Sequence, residues 1–284
     1  MKKIRIPLNA TEHVDAAVHG GHESGRPVVI LQPATAVPER LYVPFANYLA
    51  GRGLTVISYN YRGVGRDAGR QTHRHLRMRD WANDEVNAVI RTAAELYPGS
   101  PLMAIGHSFG GHAVGLSEQS RRLTAAVLIA SHAGYLGFIK PFTERLKAIF
   151  LLHVLGRISN ATIGYLPGKK LGLGEDLAGG VVEEWRQWTK LPHYFFDDIT
   201  LGAREKFSSI SCPILCYGFT DDPWATEPAI DELVSHFTSA TITPRQISPT
   251  DIGSRAIGHL GFFRERHRES LWPGVADWLI EHAQ

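Results

Sequence analysis

The chain has few cysteines, little net charge and no unbroken apolar run of transmembrane length. Cys212 and Cys216 are its two cysteines, both in "CPILCYG". Four apart on an expected strand, they share a face but lie too far apart for a relaxed disulfide. They read as small buried hydrophobes in a reducing compartment. The net charge is +2 with histidine neutral. That is too small to imply a nucleic-acid or membrane partner by charge alone. No run of about 18 consecutive apolar residues occurs, so no membrane span is expected. The opening "MKKIRIPLNATEHVD" has no apolar core of signal-peptide length, and the expected location is cytoplasmic. The chain has no internal repeat, no G-x-x-x-x-G-K-[ST] phosphate loop and no H-E-x-x-H. It has 14 histidines, densest in "HVDAAVHGGH" and at His73 and His75. Neither group has a zinc-type spacing with a third ligand nearby, so neither a metal nor an organic cofactor is expected.

A hydrophobic fraction of 44 % over 284 residues is enough for one large α/β domain with an insertion. The chain opens on an expected hairpin, "KKIRIPL" and "HVDAAVHG". Short β-branched runs then alternate with helical patterns: "PVVILQ", "LTVISYN", "LMAIG" and "AAVLIAS" as strands. Between them the helices are "PERLYVPFANYLAGRG", a stretch from Trp81 to about Leu96 with Asp80 as N-cap, and one from Phe109 to about Ser120. The alternation argues for a mostly parallel sheet with helices on both faces. From residue 133 to 207 the pattern changes to helical segments, aromatics and the glycine-rich "GYLPGKKLGLGEDLAGG", with no clear strand. This reads as a helical cap inserted into a core formed by residues 1–132 and 208–284. The regular pattern returns with "PILCYGF", "EPAIDELVSHF", "ATITPRQI" and "SLWPGVADWLIEHA". The arginine-rich stretch from Arg62 to Arg79 lacks aromatic interleaving and reads as a solvated loop, with no nucleic-acid partner.

"LMAIGHSFGGHAVG" places Ser108 in a G-x-S-x-G pattern between an expected strand and an expected helix. This is the context of a nucleophile elbow. So sharp a turn strains the serine backbone and leaves no room for neighbouring side chains, which explains Gly106 and Gly110. It exposes the Ser108 hydroxyl near the positive end of a helix and aims the Phe109 N–H at a developing oxyanion. A serine nucleophile needs a base, and the base an orienting acid. "FTDDPWAT" follows a strand with Asp221 and Asp222, and "AIGHLGFF" places His259 between the last strand and last helix. Adjacent aspartates on an extended backbone face opposite ways, so one of the two serves His259, and motif fit favours Asp222. His107 and His112 bracket the serine; packing is the plain reading of His112.

In these motifs the chain resembles α/β-hydrolase-fold serine hydrolases along nearly its full length, including uncharacterised bacterial members with a GHLGFF-like histidine loop. The resemblance implies the order Ser108, Asp222, His259 and hydrolysis of a small-molecule acyl substrate through an acyl-enzyme. "ILQPATAVPERLYVPF" resembles the loop that carries the second oxyanion donor. Counting back from Tyr42, Pro33-Ala34 fall where relatives often have His-Gly and Thr35 falls on the donor position; Pro33 has no N–H, and the resemblance implies the Thr35 N–H as donor, with Ala34 as the fallback. Where relatives have aspartate before Arg-Gly, this chain has Asn60-Tyr61, placing Tyr61 and Arg62 near the site. His107, Tyr61 and Tyr194 are the candidate substrate-binding residues. Two other functions are compatible with the fold: acyl transfer to a nucleophile other than water, and ligand binding without turnover.

Overall fold

The structure, a computed structural model, describes residues 1–283 except 22, 24, 66 and 67. It opens on an antiparallel hairpin of β1 (Lys2–Pro7) and β2 (His13–His19). Asn9 closes the turn by accepting the Thr11 and Glu12 amides at 2.9 and 3.0 Å, the Asx-turn chemistry that favours asparagine there. β2 pairs antiparallel with β4 (Thr55–Tyr59). From β4 onward every pairing in the sheet is parallel, through β3 (Val28–Gln32), β5 (Leu102–His107), β6 (Ala125–Ile129), β9 (Ile214–Phe219) and β10 (Ile242–Ile247). The eight strands run in the order β1-β2-β4-β3-β5-β6-β9-β10. The five central strands β3, β4, β5, β6 and β9 are buried along their whole length. This is why they read as continuous apolar runs rather than alternating ones. β10 is an edge strand, which accommodates Pro244. Cys212 and Cys216 are free and buried.

The main helices are α1 (Val43–Gly51), α2 (residues 78–96), α3 (Phe109–Leu116), α4 (Phe142–Ile163), α5 (Gly179–Trp188), α6 (Glu227–Val234) and α7 (Arg268–Glu281). Several ends differ from expectation, two of them for clear local reasons. α2 begins at Met78, so Asp80 lies inside its first turn, where its carboxylate reaches back to the Arg77 N–H at 2.8 Å. A carboxylate can satisfy an orphan amide from the N-cap or from the third helical position, and the sequence pattern suits both. α3 stops at Leu116 because Ser117 turns to extended backbone (φ −78°, ψ 126°).

Between β6 and β9 the chain leaves the central sheet. Contrary to expectation, this segment contains strands: β7 (Tyr165–Leu166) and β8 (Leu177–Ala178) form a separate ribbon. Two residues a side are too few to show a period. α4 is also long and apolar enough to cross a membrane by length and composition. Its Glu144, Arg145, Lys147 and Arg157 interrupt the apolar run, so it holds no stretch of 18 consecutive apolar residues. α4 and α5 approach closely at Gly156, where a Cβ would sit 2.8 Å from Val182 Cγ1.

The arginine-rich stretch is not simply solvated. Arg62 is buried, with Glu85 accepting from its Nε at 2.9 Å and Glu12 from its Nη1 at 2.5 Å. Arg79 reaches out of α2 to grip the inserted segment. It pairs with Glu184 and donates to Asp198 at 2.5 Å and to the Thr200 hydroxyl at 2.8 Å. Both arginines hold segments together.

Candidate active site

β5 ends at His107 and α3 begins at Phe109, leaving Ser108 alone to make the turn. Its backbone takes φ 51° and ψ −114°, a region costly for a residue with a side chain. The turn closes only because its neighbours are bare. A Cβ on Gly106 would lie 2.5 Å from the Gly111 nitrogen, and one on Gly110 would overlap the Gln32 carbonyl oxygen of β3. Gly111, which the sequence reading did not single out, is required too: its Cβ would overlap the Ser131 hydroxyl.

Ser108 opens into a cavity of about 290 Å³. Thr35, Phe109 and His259 line its floor, and Leu136, Ile139, Leu152, Trp185 and Tyr194 from the inserted segment line its roof. Ala34 also lines it, but the Ala34 N–H donates to the Tyr42 hydroxyl at 2.8 Å. That bond occupies the fallback oxyanion donor and leaves the Thr35 N–H as the better candidate.

The two aspartates divide their work. Asp222 is 3 % exposed, and its Oδ2 accepts from His259 Nδ1 at 2.6 Å. Its Oδ1 accepts the Trp224 and Ala225 amides at 2.9 and 3.1 Å, which fixes the carboxylate's orientation. Burial alone would raise the Asp222 carboxyl, but the His259 charge and hydrogen bond override it and bring it to about 2. Contrary to expectation, Asp221 lies in a turn rather than on extended backbone, the Asp222 N–H donating to the Phe219 carbonyl at 3.0 Å, and both carboxylates reach the same loop. Asp221 accepts the Ile257 and Gly258 amides at 2.8 and 3.0 Å, holding the backbone just before His259. Among the described residues no direct hydrogen bond joins the Ser108 hydroxyl to the His259 ring, although both line the cavity. Such pairs are often loose in ligand-free sites.

Of the three candidate substrate-binding residues, Tyr194 lines the cavity. His107 and Tyr61 do not. The His107 side chain is fully buried behind the elbow, bonded to Tyr42 and to the His259 carbonyl. Tyr61 stacks on Trp81 at 4.7 Å and meets Phe109 edge-on, which turns it into the core. Strand residues next to a loop alternate in direction, so proximity in sequence did not place these rings in the cavity.

Two wall residues were missed as such. His132, just past β6, presents its ring edge-on to His259 at 5.5 Å and donates from Nδ1 to the Ala130 carbonyl at 3.0 Å. His112 donates from Nε2 to the His132 carbonyl at 2.6 Å. Burial holds both neutral, pushing His112 down to about 3 and His132, with His259 nearby, to about 4. His112 packs as expected, yet it also lines the cavity. No spacing rule marks His132, because only the return of β6 beside β5 brings it to the site. Among the described residues no cluster of three or more His, Cys, Asp or Glu could hold a metal.

The family model described as "Alpha/beta hydrolase family" matches residues 18–267. The chain belongs to this family. No protein of curated function matches it in sequence. Among solved structures it is similar to a monoacylglycerol lipase of Paleococcus ferrophilus, at 17 % identity and a TM-score of 0.61 over 95 % of this chain and 99 % of that one. It is also similar to Est1E from Butyrivibrio proteoclasticus, solved with ferulic acid bound (16 % identity, TM-score 0.62, 98 % of each chain). A thermophilic esterase from Thermogutta terrifontis gives 16 % identity and a TM-score of 0.57 over 100 % of each chain. At these identities the likeness is one of fold. The eight-stranded, mostly parallel sheet is the α/β-hydrolase fold, and family membership supports a hydrolase of small molecules.

Proposed function

We propose that the protein is a serine hydrolase that cleaves a carboxylic ester, with Ser108, His259 and Asp222 as its triad. The observation that carries this is the strained Ser108 turn, opening on the same cavity as a histidine held at 2.6 Å by a buried carboxylate. In this reading His259 Nε2 takes the Ser108 proton as Oγ attacks the ester carbonyl. The Thr35 and Phe109 N–H groups stabilise the oxyanion. The tetrahedral adduct collapses, the C–O bond to the alcohol breaks, and His259 returns the proton to the departing alkoxide. Water, deprotonated by His259, then attacks the acyl-Ser108 ester, releasing the acid and restoring the serine hydroxyl. Asp222 keeps the Nδ1 proton on the far side of the ring. Residues 133–207 serve as a cap whose apolar inner wall holds the acyl group, with Tyr194 against it. The proton inventory closes within the triad, so the mechanism draws on no cofactor.

The test is intact mass after treatment with a fluorophosphonate, beside Ser108→Ala. A stoichiometric adduct on the unmutated protein and none on the variant is expected. Folded protein that stays unlabelled, or a variant that labels equally, would sink the reading. A panel of esters of increasing acyl length then reports what the apolar roof accepts.

A further inference from the structure

Three hydrogen bonds, two of them buried and the third partly buried, run in series behind the elbow. The Ala34 N–H meets the Tyr42 hydroxyl at 2.8 Å, that hydroxyl meets His107 Nδ1 at 2.9 Å, and His107 Nε2 meets the His259 carbonyl oxygen at 2.9 Å. Both ends fix the direction. An amide N–H can only donate, so the tyrosine oxygen accepts from Ala34. A carbonyl oxygen can only accept, so His107 carries its proton on Nε2. A neutral imidazole then offers a bare Nδ1, and the tyrosine O–H donates to it. Tyr42 is 2 % and His107 0 % exposed, and the Phe263 ring packs against both at 4.8 Å.

The series joins the loop after β3, the start of α1, the last residue of β5 and the loop that carries His259. We propose that Tyr42 and His107 are positioning residues. They form a one-directional hydrogen-bond wire that holds the oxyanion loop and the His259 backbone in register on either side of Ser108. The wire occupies the Ala34 N–H, so the next amide, that of Thr35, is the one left to the cavity. At the other end it fixes the carbonyl of His259, while Asp222 fixes the ring and Asp221 the two preceding amides. His107 precedes the nucleophile directly, so each end of the wire is referenced to the elbow itself. Positioning of this kind acts on rate, because a shift of about 1 Å at a reacting centre can cost as much as 100-fold.

The inference rests on the serine-hydrolase reading for its consequence but not for its existence, and the experiment separates the two. Nitrogen-15 NMR of the histidine rings tests the wire without turnover. His107 is expected as the neutral Nε2–H tautomer, with an Nδ1 resonance that moves to the unbonded range in Tyr42→Phe. An Nδ1–H tautomer, or an unmoved resonance, overturns the wire whatever the catalytic result. Kinetics on a soluble ester test its role. Tyr42→Phe is expected to lower kcat and the fluorophosphonate labelling rate about tenfold, with KM changed less than about twofold. His107→Leu should act on the same wire. The double variant is then expected to be no slower than the worse single variant, and His107→Gln, which keeps a side-chain N–H, should recover part of the loss. Multiplying losses, or a Tyr42→Phe enzyme as fast as the unmutated one, overturn the positioning role. Failure of the unmutated protein to label condemns the serine-hydrolase reading and with it the catalytic role, leaving the NMR result to decide the wire alone.

Discussion

At the scale of single residues, the two neighbouring aspartates make different contacts, and the proposed triad assigns chemistry to one of them. Asp222 faces His259 and is closed from water, whereas Asp221 holds two loop amides from an exposed position. Asp222→Asn is expected to lower kcat by about 10⁴-fold, because the neutral amide no longer stabilises the imidazolium or enforces its tautomer. Asp221→Asn keeps one acceptor for two amides and is expected to cost about three- to tenfold, since only charge-assisted loop bonds are weakened. Steady-state kinetics of the pair decide it, and equal losses would contradict the division of labour. Gly110 offers a prediction of a different kind. A Cβ there would overlap the Gln32 carbonyl oxygen, and backbone in a central strand cannot give way as a flexible side chain can. Gly110→Ala is expected to destabilise the fold by about 3 kcal/mol or more, measured by chemical denaturation, with any surviving protein poorly labelled. The candidates Ser108, Asp222 and His259, which the structure brings together, could be picked out in the sequence because each sits in a loop whose neighbours are dictated by turn geometry. His132 and Tyr42 could not, because what places them is the pairing of strands and the packing of a helix distant in sequence. The same limit explains Tyr61: "NYRG" marks a site loop, but the direction of its tyrosine is set by the Trp81 ring it stacks on.

At the scale of elements, the strands that pair in the middle of the sheet were the easiest to read. Burial on both faces leaves runs such as "VVILQ" and "AAVLI" with no polar residue until Gln32. The least legible elements lie between β6 and β9. There the ribbon strands have two residues each, and charged side chains break up the apolar run of α4. How this segment is fastened is also invisible in sequence, since Arg79 is over a hundred positions from each of its three side-chain partners. Its guanidinium is 15 % exposed and Glu184 5 % exposed. Removing one partner from such a pair leaves an uncompensated buried charge, usually at a cost of about 3–5 kcal/mol. Arg79→Met keeps the packing of the stem, and the orphaned Glu184, whose carboxyl is already raised by burial, relieves part of the cost by taking up a proton, so a loss of about 2–3 kcal/mol is expected. Because the bonds broken lie between α2 and the inserted segment, the loss should concentrate there. Hydrogen exchange should rise in residues 179–201 before it rises in the central strands. Uniform exchange across the molecule would show that Arg79 is an ordinary stability residue rather than a tether.

At the scale of the whole molecule, the buried histidines tie folding to pH. His112 is 4 % exposed, with its Nε2 proton committed to a carbonyl and rings of Phe109, Tyr194 and Phe195 around it. Its folded value of about 3 lies well below the ordinary unfolded value of about 6.5. Between those two values the unfolded chain binds a proton that the folded chain refuses. Stability therefore rises with pH through this window, and is lost as pH falls below about 6.5. One such group contributes a slope of about 1.4 kcal/mol per pH unit. Asp222 does not confuse the comparison, since it is present in both proteins and is ionised in both states above about pH 5. His107 and His132 titrate in the same sense as His112, so the useful quantity is a difference between two proteins. His112→Gln retains an N–H for the His132 carbonyl and cannot titrate. Its stability, measured by urea denaturation at pH 4.5, 5.5 and 6.5, is expected to fall less steeply with acid than that of the unmutated chain, by about one proton's worth. The two curves should converge toward low pH, where the unmutated protein has lost what His112 confers by staying neutral. Parallel curves would mean that His112 takes up its proton in the folded state, which the aromatic rings around it and an Nδ1 with no partner among the described residues argue against.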